Sequence, residues 1–288
     1  MAIKLGGGGG SASQIDEVVF LNNKAATVTL ADGRVYLKGG VFETNLSTYP
    51  LADTSYKPTS NFSVAAQDTN PYGITWDGTH YWVLGPTSDA VYKYNAAGVY
   101  QSVSFSVSAQ DTVPTDIVWD GTYFWVVGFS SKAVYKYNAA GTYQNVSWSV
   151  SAQTISPYGI TWDGTYFWVS GSAGGVYKYN SAGVYQSVTF STATEDSGNG
   201  QGITWDGTYL WVVGRINDKA YKYNTSGVYQ NESFSVAPLT NPEGIVWNST
   251  LGGFAVLGRT SDAVYTFQPA NGTTSDTSFG GQNYVRVK

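Results

Sequence analysis

The chain has no cysteine, one histidine (His80), one methionine, and charged side chains at only 12% of its 288 positions. Without thiols there is no disulfide framework, no thiolate nucleophile and no cysteine-based zinc site, and a His-dependent triad would have to be built on His80 alone. The charged fraction is about half the ~25% of ordinary globular chains, and the net charge is -5. Binding to nucleic acid calls for a basic stripe. Residues 60–267 instead carry 8 basic against 14 acidic side chains, with no basic cluster, so no nucleic-acid partner is expected. Long apolar runs are missing too. None approaches the ~18 residues of a membrane span, and the opening MAIKLGGGGGSAS lacks the apolar core of a secretory signal. Neither membrane insertion nor Sec export is expected. Seven N-x-S/T triplets, starting at Asn45, Asn61, Asn145, Asn224, Asn231, Asn248 and Asn271, are read as chance in a Ser/Thr-rich chain.

What the chain has in excess is aromatic rings, with 10 Trp, 23 Tyr and 12 Phe, and they recur at a fixed period. GITW or a close variant ends at Trp76, Trp119, Trp162, Trp205 and Trp247, giving spacings of 43, 43, 43 and 42. Each unit then runs through an Asp-Gly turn, an aromatic strand such as TYFWVVG, a variable loop, AVYKYN, a turn such as NAAG, and YQSVSFSV. Alternating β-branched and aromatic runs bounded by Gly, Asn and Asp are strands, and Asp-Gly between two of them is a strong hairpin signal. Four strands per repeat of about 40–45 residues is the pattern of a propeller blade, whose faces are buried only against its neighbours.

Calling the strands A to D, complete A, B and C strands occur five times, the last at 244–247, 254–257 and 263–267. No D strand follows them. A lone D-type strand, NFSV at 61–64, precedes the first unit instead. The expectation is an all-β, five-bladed β-propeller of four-stranded blades over residues 60–267, closed by the N-terminal strand so that no sheet edge is left open at the seam. Residues 1–59 read as a Gly-rich leader with a small β segment, its hairpin turning at Ala31–Arg34, and a linker near 54–60. Residues 268–288 read as a polar segment ending in the strand YVRVK.

Comparing five blades separates scaffold from candidate site. Nine of the ten Trp occupy two repeated positions, on strand A and on strand B (Trp82, Trp125, Trp168, Trp211), as packing demands. Only Trp148 falls elsewhere, where other blades carry Phe. Asp77, Asp120, Asp163 and Asp206 belong to the Asp-Gly turn, and His80 stands where other blades have Tyr. The A-B and C-D turns, on one rim, are nearly constant. The B-C and D-A loops, on the other, diverge, and binding residues sit on variable loops held by a rigid scaffold. The candidate binding residues are therefore Tyr72, Thr115, Asp116, Tyr158, Gln201 and Glu243 near the channel mouth, with Asp89, Phe129, Lys132, Arg215, Asn217, Asp218, Lys219, Arg259 and Asp262 farther out. Tyr faces among Asn, Asp and Arg suit carbohydrate or protein epitopes. Asp116 and Glu243 are the one carboxylate pair placed for glycoside hydrolysis. They lie on different blades, and the chain is expected not to be an enzyme and to need neither metal nor cofactor.

PYGITWDGTHYWVLG at 71–85 resembles the NHL-type propeller motif, a likeness that covers about 208 residues and implies the fold rather than a function; NHL propellers usually have six blades, against the five counted. The Gly-rich start, LADGRVYLKGGVFETNLSTYPLA at 30–52 and the closing YVRVK are similar to the termini of tailed-bacteriophage tail-fibre and tail structural proteins. That resemblance implies a virion component, assembled in the host cytoplasm, whose N-terminal part attaches to other tail proteins and whose propeller engages a host surface glycan or protein. It also implies a homo-oligomer, often a trimer, although no coiled coil is present. The alternatives are a lectin-like propeller outside a virion and a polysaccharide depolymerase.

Overall fold

A computed structural model describes residues 56–197 and 200–269, together with two short antiparallel ladders, Thr29–Ala31 with Arg34–Tyr36 and Asp276–Phe279 with Gln282–Tyr284. The first ladder is the hairpin expected at Ala31–Arg34. The five-glycine stretch and most of YVRVK lie outside the described residues.

Residues 56–269 form five antiparallel four-stranded sheets. Blade 1 comprises Gly73–Trp76, His80–Gly85, Ala90–Asn95 and Tyr100–Ser106. Blade 2 comprises Pro114–Trp119, Phe124–Gly128, Ala133–Tyr137 and Tyr143–Ser149. Blade 3 has Pro157–Trp162, Tyr166–Gly171, Gly175–Asn180 and Tyr185–Ser191, and blade 4 has Gly200–Trp205, Leu210–Gly214, Lys219–Tyr223 and Tyr229–Ser235. Blade 5 takes Pro242–Asn248, Gly253–Gly258 and Ala263–Gln268 from the end of the repeat region and Lys57–Ser63 from its start. Each A strand packs on the A strand of the next blade, and that of blade 5 packs on that of blade 1. The ring is closed with five blades.

The closing strand begins at Lys57, so residues expected as linker are already in the sheet. Pro58 obscures this in the sequence. It sits opposite Phe267 at a register shift on the outer strand, the edge position where a proline costs no ladder bond. Hydroxyls add to the closure: Thr59 and Ser60 both bond the side chain of Thr266, at 2.9 and 2.7 Å.

The core is five apolar clusters, each filling the wedge between two adjacent blades. In blades 1, 2 and 4 the B-strand Trp packs on the neighbour's B-strand ring: Trp82 on Phe124 at 4.8 Å, Trp125 on Phe167 at 4.9 Å and Trp211 on Phe254 at 5.0 Å between centroids. Each B-strand indole also donates its N–H to the carboxylate of its own Asp-Gly turn, at 2.6–2.7 Å for Asp77, Asp120, Asp163 and Asp206. The other oxygen of each of these carboxylates accepts two backbone N–H groups, as Asp120 does from Thr122 and Tyr123. The positive φ of these turns belongs to the glycines (Gly78, Gly121, Gly164, Gly207), so the Asp is retained for hydrogen bonding rather than for backbone tolerance.

The constancy of the NAAG turns has a packing cause. Gly98, Gly141, Gly183 and Gly227 have φ near +75 to +79 and lie directly under the D-strand ring of the preceding blade, respectively Phe62, Phe105, Trp148 and Phe190. Trp148 is therefore a scaffold residue as well, packed on Tyr179 at 4.8 Å.

Candidate functional site

The D-A and B-C loops meet on one rim, as the order of strands in a blade requires, and much of that rim is built rather than loose. Asp68, Asp111 and Asp196 of the D-A loops turn inward and accept the backbone N–H of Ser88, Ser131 and Asn217 in the facing B-C loops. Asp89, Lys132, Asp218 and Asp262 hold left-handed φ values of 46–53°. Their carbonyls accept the N–H of Val107, Val150, Val236 and Val64, the residue after each D strand. These four, chosen from the sequence as outer binding residues, are turn residues. Asn217 is likewise tied into the loop through Glu195, and Lys219 begins a C strand with its side chain exposed.

All the remaining candidates but Asp116 converge. Tyr72, Thr115, Phe129, Tyr158, Gln201, Arg215, Glu243 and Arg259, joined by Val113, line a cavity of about 210 Å³ at the mouth of the central channel. Val113 carried no chemical signal in the sequence, being one more apolar residue before a proline. The D-A loops deliver the inner residues because each ends at the first residues of strand A, which stand around the axis; the B-C loops deliver Phe129, Arg215 and Arg259 from outside.

Charge in the cavity centres on Glu243, whose side chain is only 8% exposed. Its Oε1 faces Arg215 Nη2 at 3.0 Å and Arg259 Nη1 at 3.6 Å. Burial raises the proton affinity of this carboxyl, and the two guanidiniums oppose that rise. Arg259 also donates from Nε to Asn70 Oδ1 at 2.6 Å and lies over the Tyr72 ring at 4.9 Å. Phe129 remains exposed at the edge. Thr115 is committed to the wall, donating from Oγ1 to the Pro157 carbonyl at 3.2 Å.

Asp116 does not belong to the mouth. It is 3% exposed and accepts N–H bonds from Ile117 at 2.8 Å and, across the blade boundary, from Ile160 at 2.9 Å. Burial pushes its pKa well above the ordinary carboxylate range, against the pull of these amides and that of Ile74. Standing where other blades have glycine, it fills the channel wall, and the pairing with Glu243 expected of a glycosidase is absent from the cavity.

No protein-family model matches the chain, and no curated protein matches it. Among solved structures it is similar to the glutaminyl cyclase of Myxococcus xanthus, with a TM-score of 0.56 and 9% identity over 74% of this chain and 95% of that one. It is also similar to virginiamycin B lyase from Staphylococcus aureus (TM-score 0.47, 15% identity, 74% and 99%) and to a chain of a nidogen/laminin complex (TM-score 0.46, 11% identity, 69% and 80%). At these identities the likeness describes the fold. It nevertheless corrects the expectation that the chain is not an enzyme: the glutaminyl cyclase has the same architecture, and a fold does not decide for or against catalysis, which resides in the side chains grafted on it.

Proposed function

We propose that the propeller is a recognition module that holds its ligand, a surface glycan or protein of a host cell, at the mouth between the D-A and B-C loops. The observation that carries this reading is the convergence of three aromatic side chains, Tyr72, Phe129 and Tyr158, with two arginines and a carboxylate around one open cavity, on the rim where the blades differ. Rings supply contact area at low entropic cost, and polar groups fix orientation. The likeness of the chain ends to phage tail proteins extends the proposal: the propeller is carried on a bacteriophage virion, joined through the residues that precede its closing strand to other tail proteins and to further copies of itself.

Two measurements test it. Binding of the purified chain to a glycan array and to host cells should be lost in Phe129→Ala with the fold intact; equal binding by that variant would refute recognition at the mouth. Virions made with a chain lacking residues 1–55 should lack the propeller, and normal incorporation would refute attachment through that segment.

One observation favours a second reading. Glu243 is a buried carboxyl that lines the cavity between Arg215 and Arg259, a side chain able to act as a general acid or base toward a ligand within hydrogen-bonding reach. Product analysis after incubation with bound material separates the two: turnover that is lost in Glu243→Gln while binding persists makes the mouth a catalytic site.

A further inference from the structure

The two guanidiniums at the mouth share one carboxylate. Arg215 and Arg259 meet on the same Oε1 of Glu243, and no other lining residue is charged. The cavity therefore carries one uncompensated positive charge in a chain whose net charge is -5. A guanidinium has five N–H donors in a planar fork. Beyond the contacts to Glu243, Arg259 places its Nε–H on Asn70. Both arginine side chains keep about a third of their surface open, 32% and 36%. Donors are thus left facing the opening, held in place by Glu243, Asn70 and the Tyr72 ring.

We infer that the mouth takes an acidic sugar, one carboxylate-bearing ring of a surface polysaccharide, seated among Tyr72, Tyr158 and Phe129 with its carboxylate on Arg215 and Arg259. This rests on the reading of the mouth as a recognition site and names its ligand class. The planar fork of arginine matches a carboxylate with two parallel hydrogen bonds, and aromatic faces match the apolar face of a pyranose. The volume sets the size. At about 210 Å³ the cavity is smaller than the ~300–1,000 Å³ of pockets for drug-sized ligands, so one ring enters and the rest of the chain stays outside. An acidic peptide fits less well. Main-chain recognition needs free backbone donors, and the rim amides of Ser88, Ser131 and Asn217 are occupied by Asp68, Asp111 and Asp196.

The test is titration calorimetry of the full chain with four probes: an oligogalacturonate, its carboxyl-reduced counterpart, a neutral glucan oligosaccharide and an oligoglutamate peptide. The oligogalacturonate should bind, weaken with added salt, and lose about tenfold or more in affinity on carboxyl reduction, a factor equal to ~1.4 kcal/mol. Arg215→Ala should lose the acidic ligand to a similar degree. Glu243→Gln, which removes the competing carboxylate, should bind it more tightly while leaving the circular dichroism unchanged. Equal affinity for the charged and reduced sugars, or preference for the peptide, would overturn the acidic-sugar inference while leaving recognition at the mouth intact if Phe129→Ala still abolishes binding. Binding indifferent to Phe129, Arg215 and Glu243 alike would overturn the reading of the mouth itself.

Discussion

Asn248 of blade 5 donates its side-chain amide to the hydroxyl of Tyr81 in blade 1 at 2.6 Å, inside the wedge where the ring closes. Three positions depart from the repeat together here. Blade 5 has Asn248 where the other blades have Asp, and Ala255 where they have the B-strand Trp, and blade 1 has Tyr81 where blades 2, 3 and 5 have Phe. Ala255 and Tyr81 lie in the same apolar cluster. With no indole from Ala255 to fill the wedge, the tyrosine hydroxyl reaches across it and meets an amide instead of a carboxylate.

Tyr81→Phe should accordingly leave the Asn248 amide buried without its partner and cost about 1–3 kcal/mol, read from chemical denaturation. Phe124→Tyr, the reciprocal change at a wedge that has no Asn, should not be tolerated any better. A Tyr81→Phe variant as stable as the parent would remove the seam bond from the account of closure.

The Asp-Gly carboxylates should matter more than turn propensity alone predicts. Asp206→Ala removes the acceptor of the Trp211 indole and of the Thr208 and Tyr209 amides. Charged hydrogen bonds are worth roughly 1.5–3 kcal/mol each, non-additively, so a loss of about 3 kcal/mol is expected, with a shift in tryptophan emission as the indole loses its partner. Loss of only a few tenths would return these residues to ordinary turn chemistry.

Two glycines with positive φ separate backbone strain from packing. Alanine at Gly121, whose added Cβ would meet nothing within 4 Å, suffers the backbone penalty alone, about 1–2 kcal/mol. Alanine at Gly141 suffers it as well and overlaps the Phe105 ring, adding about 1–3 kcal/mol. Thermal unfolding of the two variants should rank Gly141→Ala clearly below Gly121→Ala; equal midpoints would show that the ring can move aside.

Asp116 sets a pH dependence. Its pKa in the folded chain is raised by burial, so between its unfolded value, ~3.9, and the folded one the native state binds more protons than the unfolded state. Stability then falls as pH rises through that window. Glu243, Asp196, Asp89 and Asp262 are shifted in the same direction and reinforce the slope. Denaturation across the acid range should show stability declining toward neutrality, with a shallower decline in Asp116→Asn. A slope unaffected by that substitution would assign it to the other carboxyls.

The scaffold was legible because a blade cannot be built from one copy: the strand-A Trp is written five times and the B-strand Trp and turn Asp four times, so that the exceptions, Ala255 and Asn248, stand out against the other four blades. The mouth was legible in part. Repeat position placed Tyr72, Tyr158, Gln201 and Glu243 on the axis and Arg215 and Arg259 on the facing loops. It could not distinguish a residue held in a left-handed turn, such as Lys132 or Asp218, from one that points at solvent, because both are polar residues in a variable loop. Asp116 misled for a related reason. A charged residue in place of glycine looks like a gain of chemistry, whereas three backbone amides had converged where a buried carboxylate could accept them.

Pairing Lys57–Ser63 with Ala263–Gln268 also imposes an order in time. During synthesis the opening strand must wait, its hydrogen-bonding edge unsatisfied, until some two hundred further residues have been added and the last hairpin emerges from the ribosome. Contacts so distant along the chain form slowly, and an unpaired strand edge invites a neighbouring polypeptide. Relocating that segment behind residue 268 by circular permutation would let the wheel finish on a local hairpin, and should hasten refolding and reduce misassembly without altering the finished ring.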